Sequence, residues 1–269
     1  MIDSIFSIQK EVIVITGVSG QMGTEYSTTF LKCGAIVVGI DLVKGHHIGL
    51  LEREFSDRFL FIHADITSAD SLKSAACEIE SIFGIPTVLI NNAAIDSPPN
   101  APIEETGPFE DYPEESWDKV MDVNVKGVFL ACKIIGSIMA RNQRGSIINI
   151  SSIYGIVSPD QSLYEYRRER GEIFYKPVAY SASKSALLNL SRYLAVYWAS
   201  QNVRVNTLVI AGVFNNQEED FLKSYCQRIP IGRMANQDEY NGALLFLASN
   251  ASKYMTGSLL TIDGGWTAI

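Results

Sequence analysis

The sequence has few of the residues that build disulfide frameworks, metal centres or nucleic-acid surfaces. Its 269 residues include four cysteines and three histidines, and 22 lysines and arginines stand against 30 aspartates and glutamates. A nucleic-acid surface needs clustered basic side chains that neutralise phosphates. The net charge of -8 therefore argues against a nucleic-acid partner and favours small molecules.

The few cysteines lie far apart, and no pair has the spacing of a metal site or a redox motif. They are Cys33, Cys77, Cys132 and Cys226. We expect reduced thiols, as is usual in the cytosol. The histidines have no cysteine or acidic partners at ligand spacing, so we predict no metal site.

Long hydrophobic runs and a secretory start are also missing. The first residues, "MIDSIFSIQKEV", lack the charged start and apolar centre of a signal peptide. No apolar run approaches the roughly 18 residues that a membrane span requires. We therefore expect a cytoplasmic protein with no membrane partner.

What the chain does contain is a regular alternation of apolar strands and helical segments. Hydrophobic residues make up 47% of the chain, which is typical of a folded globular protein. The predicted strands are "VIVIT", "AIVVGI", "FLFIHA", "TVLIN", "SIINIS", "VRVNTLVI" and "SLLTI", and the predicted helices include 68–83, 115–142 and 180–200. Seven buried strands with helical crossovers predict one α/β domain over 1–269, a doubly wound parallel sheet with helices on both faces.

Two stretches interrupt the alternation, at 96–115 and 158–177. The first combines prolines with acidic residues and is predicted to be loop. The second mixes aromatic residues with arginines between flanking prolines. Both follow the ends of predicted strands, where open parallel sheets bind their ligands.

The stretch "TGVSGQMG" at 16–23 joins the first strand to a helix. In that place Gly17 permits the sharp turn, Gly20 lets the backbone approach a pyrophosphate, and Gly23 lets helix and strand pack closely. The amides at the helix start then face the phosphates. In isolation, three glycines are nearly as compatible with an ordinary turn, so the remaining motifs have to decide.

Two acidic residues follow at strand ends that neighbour this turn. Asp41 ends the second strand 18 residues after Gly23, where a carboxylate accepts hydrogen bonds from adenosine ribose hydroxyls and repels a 2'-phosphate. This position, and the lack of a basic residue at 42 and 43, favour NAD over NADP; the alternative is that Asp41 only caps a turn. Asp65 either contacts the adenine or solvates a strand end.

"YSASK" places Tyr180 and Lys184 on one face at the start of a predicted helix. Such a pair arises by chance in many chains. Its chemistry is specific, because an ammonium beside a phenol favours the phenolate and allows proton exchange near neutral pH.

With these motifs the chain resembles the short-chain dehydrogenase/reductase family, a single-domain Rossmann-type fold. The matching stretches are "TGVSGQMG", "NNAA" (91–94), "VNVKG" (123–127), "INISS" (148–152), "YSASK", "VRVN" (203–206) and "TGSLLTIDGG" (256–265). The resemblance covers nearly the whole chain and implies an NAD(P)-dependent hydride transfer between a hydroxyl and a carbonyl. It also implies a dimer or tetramer, with the helices at 115–140 and 180–200 in the dimer interface.

The resemblance assigns four catalytic roles. Ser152 polarises the substrate oxygen, Tyr180 is the acid/base, Lys184 binds the nicotinamide ribose and lowers the phenol pKa, and Asn124 anchors a proton-relay water. Alternatively, Ser152 bonds its own backbone and Asn124 satisfies a carbonyl. The residues predicted to contact the cofactor are Gly17, Ser19, Gly20, Gln21, Met22, Gly23, Asp41, Leu42, Asp65, Ile66, Asn92, Ala93, Ala94, Tyr180, Lys184, Gly212 and Val213. We expect Asn91 and Asn92 to be mainly structural.

The chain departs from the family pattern at the glycine turn. Its spacing is TGxxGxxG, with Gln21 where the single-domain branch has its middle glycine. That spacing is typical of the extended branch, which includes epimerases and dehydratases, but those chains carry a further substrate domain. Ala211 and Gly212 stand for the usual Pro-Gly, and Asn216 for the usual Thr.

The intervals from Ser152 to Tyr180 and from Asn92 to Asn124 are both longer than is usual in the family, so both insertions are expected to border the substrate site. The candidate substrate contacts are Ser152, Tyr154, Arg167, Arg168 and Arg170. The arginines are included because a guanidinium group binds a phosphate or carboxylate bidentately. The other interpretation pairs those arginines with neighbouring glutamates. The stretches "SSIYGIVSPD" and "KPVAYSASKSALLNLSRYLA" also resemble the bacterial flagellin-modification protein A subgroup, which is associated with nonulosonic acid sugar pathways.

These observations favour an NAD-dependent oxidoreductase acting on a polar small molecule such as a sugar derivative. Two alternatives stay open. One is a protein that binds NAD(H) without catalysis, as a sensor or subunit, and the other is an epimerase or dehydratase that retains NAD.

Overall fold

Seven parallel strands form one sheet at the centre of the protein. The computed structural model describes residues 5–97 and 102–269. The strands are β1 (Val12–Thr16), β2 (Ile36–Asp41), β3 (Phe59–His63), β4 (Val88–Asn91), β5 (Gly145–Ser152), β6 (Val203–Ile210) and β7 (Leu259–Ile262). All neighbouring pairs run parallel, in the order β3-β2-β1-β4-β5-β6-β7. β1 and β6 match their predicted boundaries. Both strands are rich in β-branched residues, which is typical of buried parallel strands.

Helices cover both faces of this sheet. They are α1 (Gln21–Lys32), α2 (His46–Glu54), α3 (Ala69–Phe83), α4 (Glu114–Arg141), α5 (Glu165–Glu169), α6 (Val178–Tyr197), α7 (Glu219–Arg228) and α8 (Asn241–Ala248). One core cluster joins α3, α4 and α6 to the sheet, and another joins α1, α2 and α8 to the opposite face. The predicted doubly wound α/β architecture is confirmed.

The three predicted helices form within two or three residues of their expected ends. Ser68 caps α3, because its hydroxyl oxygen accepts a hydrogen bond from the amide of Ser71 at 3.3 Å. The sequence did not indicate that α4 contains two π-helical stretches, Asp122–Gly127 and Cys132–Gly136. Such stretches are frequent at functional sites, and the first contains Asn124.

By length and composition, α4 could cross a membrane, with a mean hydropathy of 1.5 over its most apolar window. One such helix is weak evidence of a membrane span, because a buried core helix passes the same test, and Lys126 and Lys133 interrupt its apolar residues. In the fold, 61% of that window is buried, and residues such as Val128 and Ile135 pack in the core under the sheet. Its hydrophobicity is that of a core helix.

The insertions differ in how regular they are. Part of the first, residues 98–101, lies outside the described residues, and the rest holds two short 3-10 turns before α4. The second contains a 3-10 turn at Gln161–Tyr164 and the short helix α5. All four cysteines are unpaired, as expected, and Cys132 is buried. No metal cluster of His, Cys, Asp or Glu occurs within 5–97 and 102–269.

Candidate active site

The candidate site lies at the carboxyl edge of the sheet, where the strand order reverses. The chain leaves β1 toward β2 and β3 on one side, whereas β4 to β7 continue on the other. This reversal opens a crevice beyond the ends of β1 and β4. The glycine turn follows β1, and "NNAA" follows β4.

The glycine turn has the geometry that its sequence predicts. Gly17 has a φ of +68°, which a side chain would strain, and a Cβ there would lie 2.7 Å from the Cα of Ala93. A Cβ on Gly23 would lie 2.1 Å from the carbonyl oxygen of Gly17. The backbone of the turn and the start of α1 are therefore packed too closely for any other residue at these two positions.

Asn92 and Thr16 hold the turn in place. The side-chain amide of Asn92 donates to the carbonyl oxygens of Thr16 and Gly17, both at 3.1 Å. The hydroxyl oxygen of Thr16 accepts from the amides of Asn92 and Ala93, also at 3.1 Å. Asn91 points into the core, where its amide donates to Asn149 at 2.8 Å. Both asparagines therefore have the structural contacts that were expected of them.

A cavity of about 480 Å³ lies over this turn and across the ends of β2, β3 and β4. It brings together most of the predicted cofactor residues. They are Gly17, Ser19, Gly20, Gln21, Met22, Asp41, Leu42, Asp65, Ile66, Asn92, Ala93 and Ala94, and the lining is completed by Ile40, Ala64, Thr67, Ile95 and Val123.

The two acidic residues of this cavity are partly occupied by the protein. Asp41 accepts a hydrogen bond from the amide of Ser19 at 2.9 Å and from that of Val43 at 3.3 Å. Asp65 accepts from the amide and the hydroxyl of Thr67, both at 2.8 Å and both through one oxygen. Each carboxylate retains acceptor capacity toward the cavity, because an oxygen has two lone pairs.

The cavity fits a dinucleotide. Gly20 is the N-cap residue of α1 and has no side chain that could bond the first amides of the helix. A Cβ at this position would contact only the carbonyl oxygen of Gly17, at 3.5 Å. The amides at the helix start thus face a space that an anion can approach. The carboxylate of Asp41 stands where ribose hydroxyls would be accepted.

A second cluster brings Ser152, Tyr180 and Lys184 together. Ser152 ends β5, Tyr180 lies in the first turn of α6, and Lys184 lies one turn later on the same face. The hydroxyl oxygen of Ser152 accepts from the amide of Tyr154 at 3.2 Å, so its O–H is left to donate toward Tyr180 or a substrate oxygen. The ammonium of Lys184 donates to the carbonyl of Ile150 at 2.9 Å and lies 5.6 Å from the ring centroid of Tyr180.

The electrostatics of this cluster differ from the sequence-based expectation. Burial raises the pKa of Tyr180 above its ordinary value, with a smaller rise from Asp96 that a hydrogen bond with Ser152 partly offsets. Burial also lowers the pKa of Lys184 to about 8. Lys184 does not offset this rise here, because its ammonium is directed at the Ile150 carbonyl, and the lowering of the phenol pKa by Lys184 stays a prediction. The Tyr180 hydroxyl therefore keeps its proton at neutral pH.

Asn124 belongs to the same region, and the protein occupies both of its side-chain N–H donors and one lone pair of its side-chain oxygen. Its side-chain amide donates to the carbonyl of Ile95 at 2.8 Å and to the hydroxyl of Ser183 at 2.9 Å. Its side-chain oxygen accepts from the amide of Ile95 at 2.8 Å. The side chain therefore satisfies the backbone groups of Ile95, as in the alternative raised above, and the role of Asn124 as anchor of a relay water stays a prediction.

Ser152 and Tyr180 open onto a second cavity of roughly 400 Å³. Its wall is formed by β5, β6, the two insertions and α7. The lining residues are Asp96, Ser152, Ile153, Tyr154, Tyr164, Lys176, Tyr180, Ile210, Ala211, Gly212, Val213, Gln217, Phe221, Tyr225 and Met234. Tyr154 lies here as predicted, and Gly212 and Val213 lie here rather than in the cofactor cavity.

Three arginines predicted to contact substrate do not line this cavity. Arg168 bonds to Glu165 at 2.6 Å, and Arg170 bonds to Glu218 at 2.6 Å and to Asp220. Arg167 stacks over the ring of Phe174 at 4.3 Å and lies 3.8 Å from Glu218. These contacts do not support the predicted anion clamp, because acidic side chains outside the cavity already bind the guanidinium groups of Arg168 and Arg170.

Two functional candidates were not found from the sequence. Asp96 and Lys176 line the cavity beside Tyr180 and form an ion pair with each other. They lie 80 residues apart, in insertions without a periodic pattern, so no local signal joined them. The one available clue was that both flank recognised motifs, "NNAA" and "YSASK".

Fold and site together define a nucleotide-binding oxidoreductase of the α/β class, and comparison with known proteins agrees. A family model described as enoyl-(acyl carrier protein) reductase matches residues 17–267. The NAD-dependent glycerol dehydrogenase of Listeria innocua is 32% identical, over 98% of this chain and 97% of that protein. The chain belongs to the short-chain dehydrogenase/reductase family.

Solved structures give the same result. A short-chain dehydrogenase from Leptospira borgpetersenii with bound NAD+ has a TM-score of 0.85 and 34% identity, covering 97% of this chain and 94% of that one. A gluconate 5-dehydrogenase from Burkholderia cenocepacia, in complex with NADP and tartrate, has a TM-score of 0.86 and 25% identity over the full length of both chains. The finer likeness to the flagellin-modification subgroup stays a prediction.

Proposed function

We propose that the protein is an NAD-dependent dehydrogenase or reductase that interconverts a hydroxyl and a carbonyl on a polar small molecule such as a sugar derivative. The observation that carries the proposal is that Ser152 and Tyr180 line a cavity at the same sheet edge as the glycine turn, with the Lys184 ammonium buried 5.6 Å from the ring centroid of Tyr180. Membership of an oxidoreductase family supports the reaction type.

In the proposed reaction, each of the three side chains has one task. Ser152 donates its O–H to the substrate oxygen, and Tyr180 gives its proton to that oxygen in reduction or takes it back in oxidation. Lys184 holds the nicotinamide ribose. When bound, the nicotinamide supplies or accepts the hydride, so the carbon–oxygen unit gains or loses one hydride and one proton in total.

The preference for NAD rests on the second strand. Asp41 presents a carboxylate to the cavity, and the next residues, Leu42 and Val43, are exposed and uncharged. A 2'-phosphate would meet the carboxylate without a cation from these positions. Among the relatives, the Leptospira structure holds NAD+ and the Burkholderia structure holds NADP.

The polar substrate is supported by the second cavity and by relatives. Ser152 and the tyrosines at 154, 164 and 180 bring hydroxyl groups to its wall. The names of two relatives, a glycerol dehydrogenase and a gluconate 5-dehydrogenase, describe enzymes of polyhydroxylated compounds.

The test is a panel of polyols, sugars, sugar acids and sugar phosphates, offered with NAD+ or as carbonyl compounds with NADH and followed by nicotinamide absorbance. Tyr180→Phe is the matched variant, because it removes one hydroxyl from the cluster. We expect turnover to fall about 100- to 10,000-fold while cofactor affinity is retained.

Other outcomes separate the alternatives. Full turnover in Tyr180→Phe would refute the assignment. Cofactor binding without hydride transfer to any panel member would favour a sensor or subunit. Copurifying NAD, with substrate conversion but no net absorbance change, would favour an epimerase or dehydratase.

A further inference from the structure

The second cavity contains two charged side chains among its described lining residues, and they form an ion pair. Asp96 follows the "NNAA" segment after β4, and Lys176 precedes α6. The ammonium of Lys176 also lies 5.5 Å from the ring centroid of Tyr180. The pair therefore stands directly beside the proposed proton donor.

Lys176 is held in this position by its backbone. Gln161 accepts a hydrogen bond from the Lys176 amide at 2.8 Å, and its side-chain amide donates to the Lys176 carbonyl at 3.3 Å. The side chain of Lys176 is 13% exposed, whereas that of Asp96 is 52% exposed. Lys176 is thus a fixed donor, and Asp96 is the member of the pair that solvent and ligand can reach.

The rest of the cavity wall offers neutral polar groups. Burial raises the pKa of Tyr154 and of Tyr164, so both hydroxyls keep their protons. The arginines of the same insertion are bound to acidic side chains outside the cavity. Among the described lining residues, Lys176 is therefore the cation that an anionic ligand could bind. Lys176 is already paired with Asp96.

We propose that Asp96 and Lys176 form a specificity-determining pair that selects uncharged polyhydroxylated substrates over sugar acids and sugar phosphates. Asp96 accepts a hydrogen bond from one substrate hydroxyl, and Lys176 donates to the oxygen of a neighbouring one. This inference rests on the proposed function, because it places the substrate beside Tyr180.

The selectivity follows from the charge balance of the pair. A diol can bridge the two groups without separating them, since a hydroxyl is both donor and acceptor. A carboxylate or phosphate must displace Asp96 from Lys176 and then lies next to the displaced carboxylate. Like-charge contact of this kind is an effective means of rejecting a wrong ligand.

The test measures binding rather than turnover. Dissociation constants are determined by calorimetry, in the presence of NADH, which cannot oxidise an alcohol, for matched pairs: xylitol and D-xylonate, D-glucitol and D-gluconate, glycerol and glycerol 3-phosphate. For each pair with a ligand that binds, we expect the dissociation constant of the neutral ligand to be lower than that of the anion by about tenfold or more. In Asp96→Asn the freed Lys176 should attract the anion, so the preference should fall by about tenfold or reverse.

Two further variants complete the design. Lys176→Met should weaken binding of the neutral ligands and still reject the anions, because Asp96 keeps its charge. Asp220→Asn is the control, since it also removes an acid from an ion pair, with Arg170, but outside the cavity. It should leave the preference unchanged.

The inference is overturned if wild type prefers the anions, if no ligand of any pair binds, or if Asp96→Asn leaves the ratio unaltered. Its failure is separable from that of the proposed function. If the protein prefers neutral ligands but transfers no hydride, the selective role of Asp96 and Lys176 is supported and the proposed redox function is refuted. If it turns over only anionic substrates, the role of Tyr180 is supported and the selective role of the ion pair is refuted.

Discussion

The side-chain amide of Gln21 donates a hydrogen bond to the main-chain carbonyl of Phe214 at 3.0 Å, across 193 residues of sequence. This contact joins the start of α1 to the segment that follows β6. The segment also contains Gly212 and Val213, which line the second cavity. The residue that departs from the family's glycine pattern therefore connects the two halves of the site.

We predict that Gln21→Met weakens binding of both cofactor and substrate. Methionine keeps the length of the side chain and suits a helix, but it cannot donate to Phe214. The loss of one hydrogen bond of about 1 kcal/mol corresponds to a several-fold rise in the dissociation constant of NAD+, measured by calorimetry. Gln237→Met is the control, because Gln237 makes only an exposed contact of 3.4 Å. Unchanged affinities in Gln21→Met would contradict the coupling.

Lys184 should limit the stability of the fold at neutral pH. Its pKa is lowered by burial to about 8 from 10.5, so the folded state disfavours the charged form. Below pH 8 the lysine is protonated in both states and the full penalty applies; between pH 8 and 10.5 only the unfolded state is protonated, and stability rises. The penalty is on the order of 3 kcal/mol.

Lys184→Met removes this titration. Between pH 8 and 10.5 the free energy of unfolding, measured by urea unfolding at each pH, should rise by about 3 kcal/mol more in wild type than in the variant. Its turnover should fall at every pH. Parallel pH profiles of the two proteins would contradict the lowered pKa, whatever the cost of the lost hydrogen bond to Ile150.

Asp41 should set the choice of cofactor. Replacing it with serine removes the charge that faces a 2'-phosphate but keeps an acceptor for the Ser19 amide, which Asp41 now bonds at 2.9 Å. We expect the ratio of NADP to NAD affinity to rise about tenfold, in line with one unit-charge repulsion at a partly exposed site. Thermal shifts with each dinucleotide measure this. A wild-type protein that already prefers NADP would refute the role.

The sheet and glycine turn were predictable because each depends on local sequence. Runs of β-branched residues define buried strands, and Gly17 and Gly23 occupy positions that exclude a side chain. The ion pairs were not predictable in this way. Arg170 binds Glu218 and Asp220, which lie 48 and 50 residues further along the chain. Only the folded arrangement of the insertion against α7 shows which charges are already paired.

The site chemistry was predictable in residue identity but not in electrostatics. Tyr180 and Lys184 share a helix face, as their spacing requires. Their pKa values depend instead on burial and on where the ammonium is directed, and the Ile150 carbonyl cannot be identified from spacing. Asn124 is similar, because its partners come from a distant loop and helix.

An apolar surface on α6 predicts self-association. Val196 is 81% exposed, and the neighbouring Tyr193 and Tyr197 are 64% and 61% exposed, with their rings stacked 6.0 Å apart. Exposed apolar groups clustered on one helix face are typical of an interface between subunits. We predict that the protein forms an oligomer through this face. Because Val196→Asp would place like charges on both sides of a two-fold contact, the variant should form a smaller species than wild type in sedimentation velocity. Ile82→Asp on α3, where the isoleucine is 52% exposed, should leave the species unchanged. A monomeric wild type, or a Val196→Asp variant that sediments like wild type, would show that α6 is not the interface.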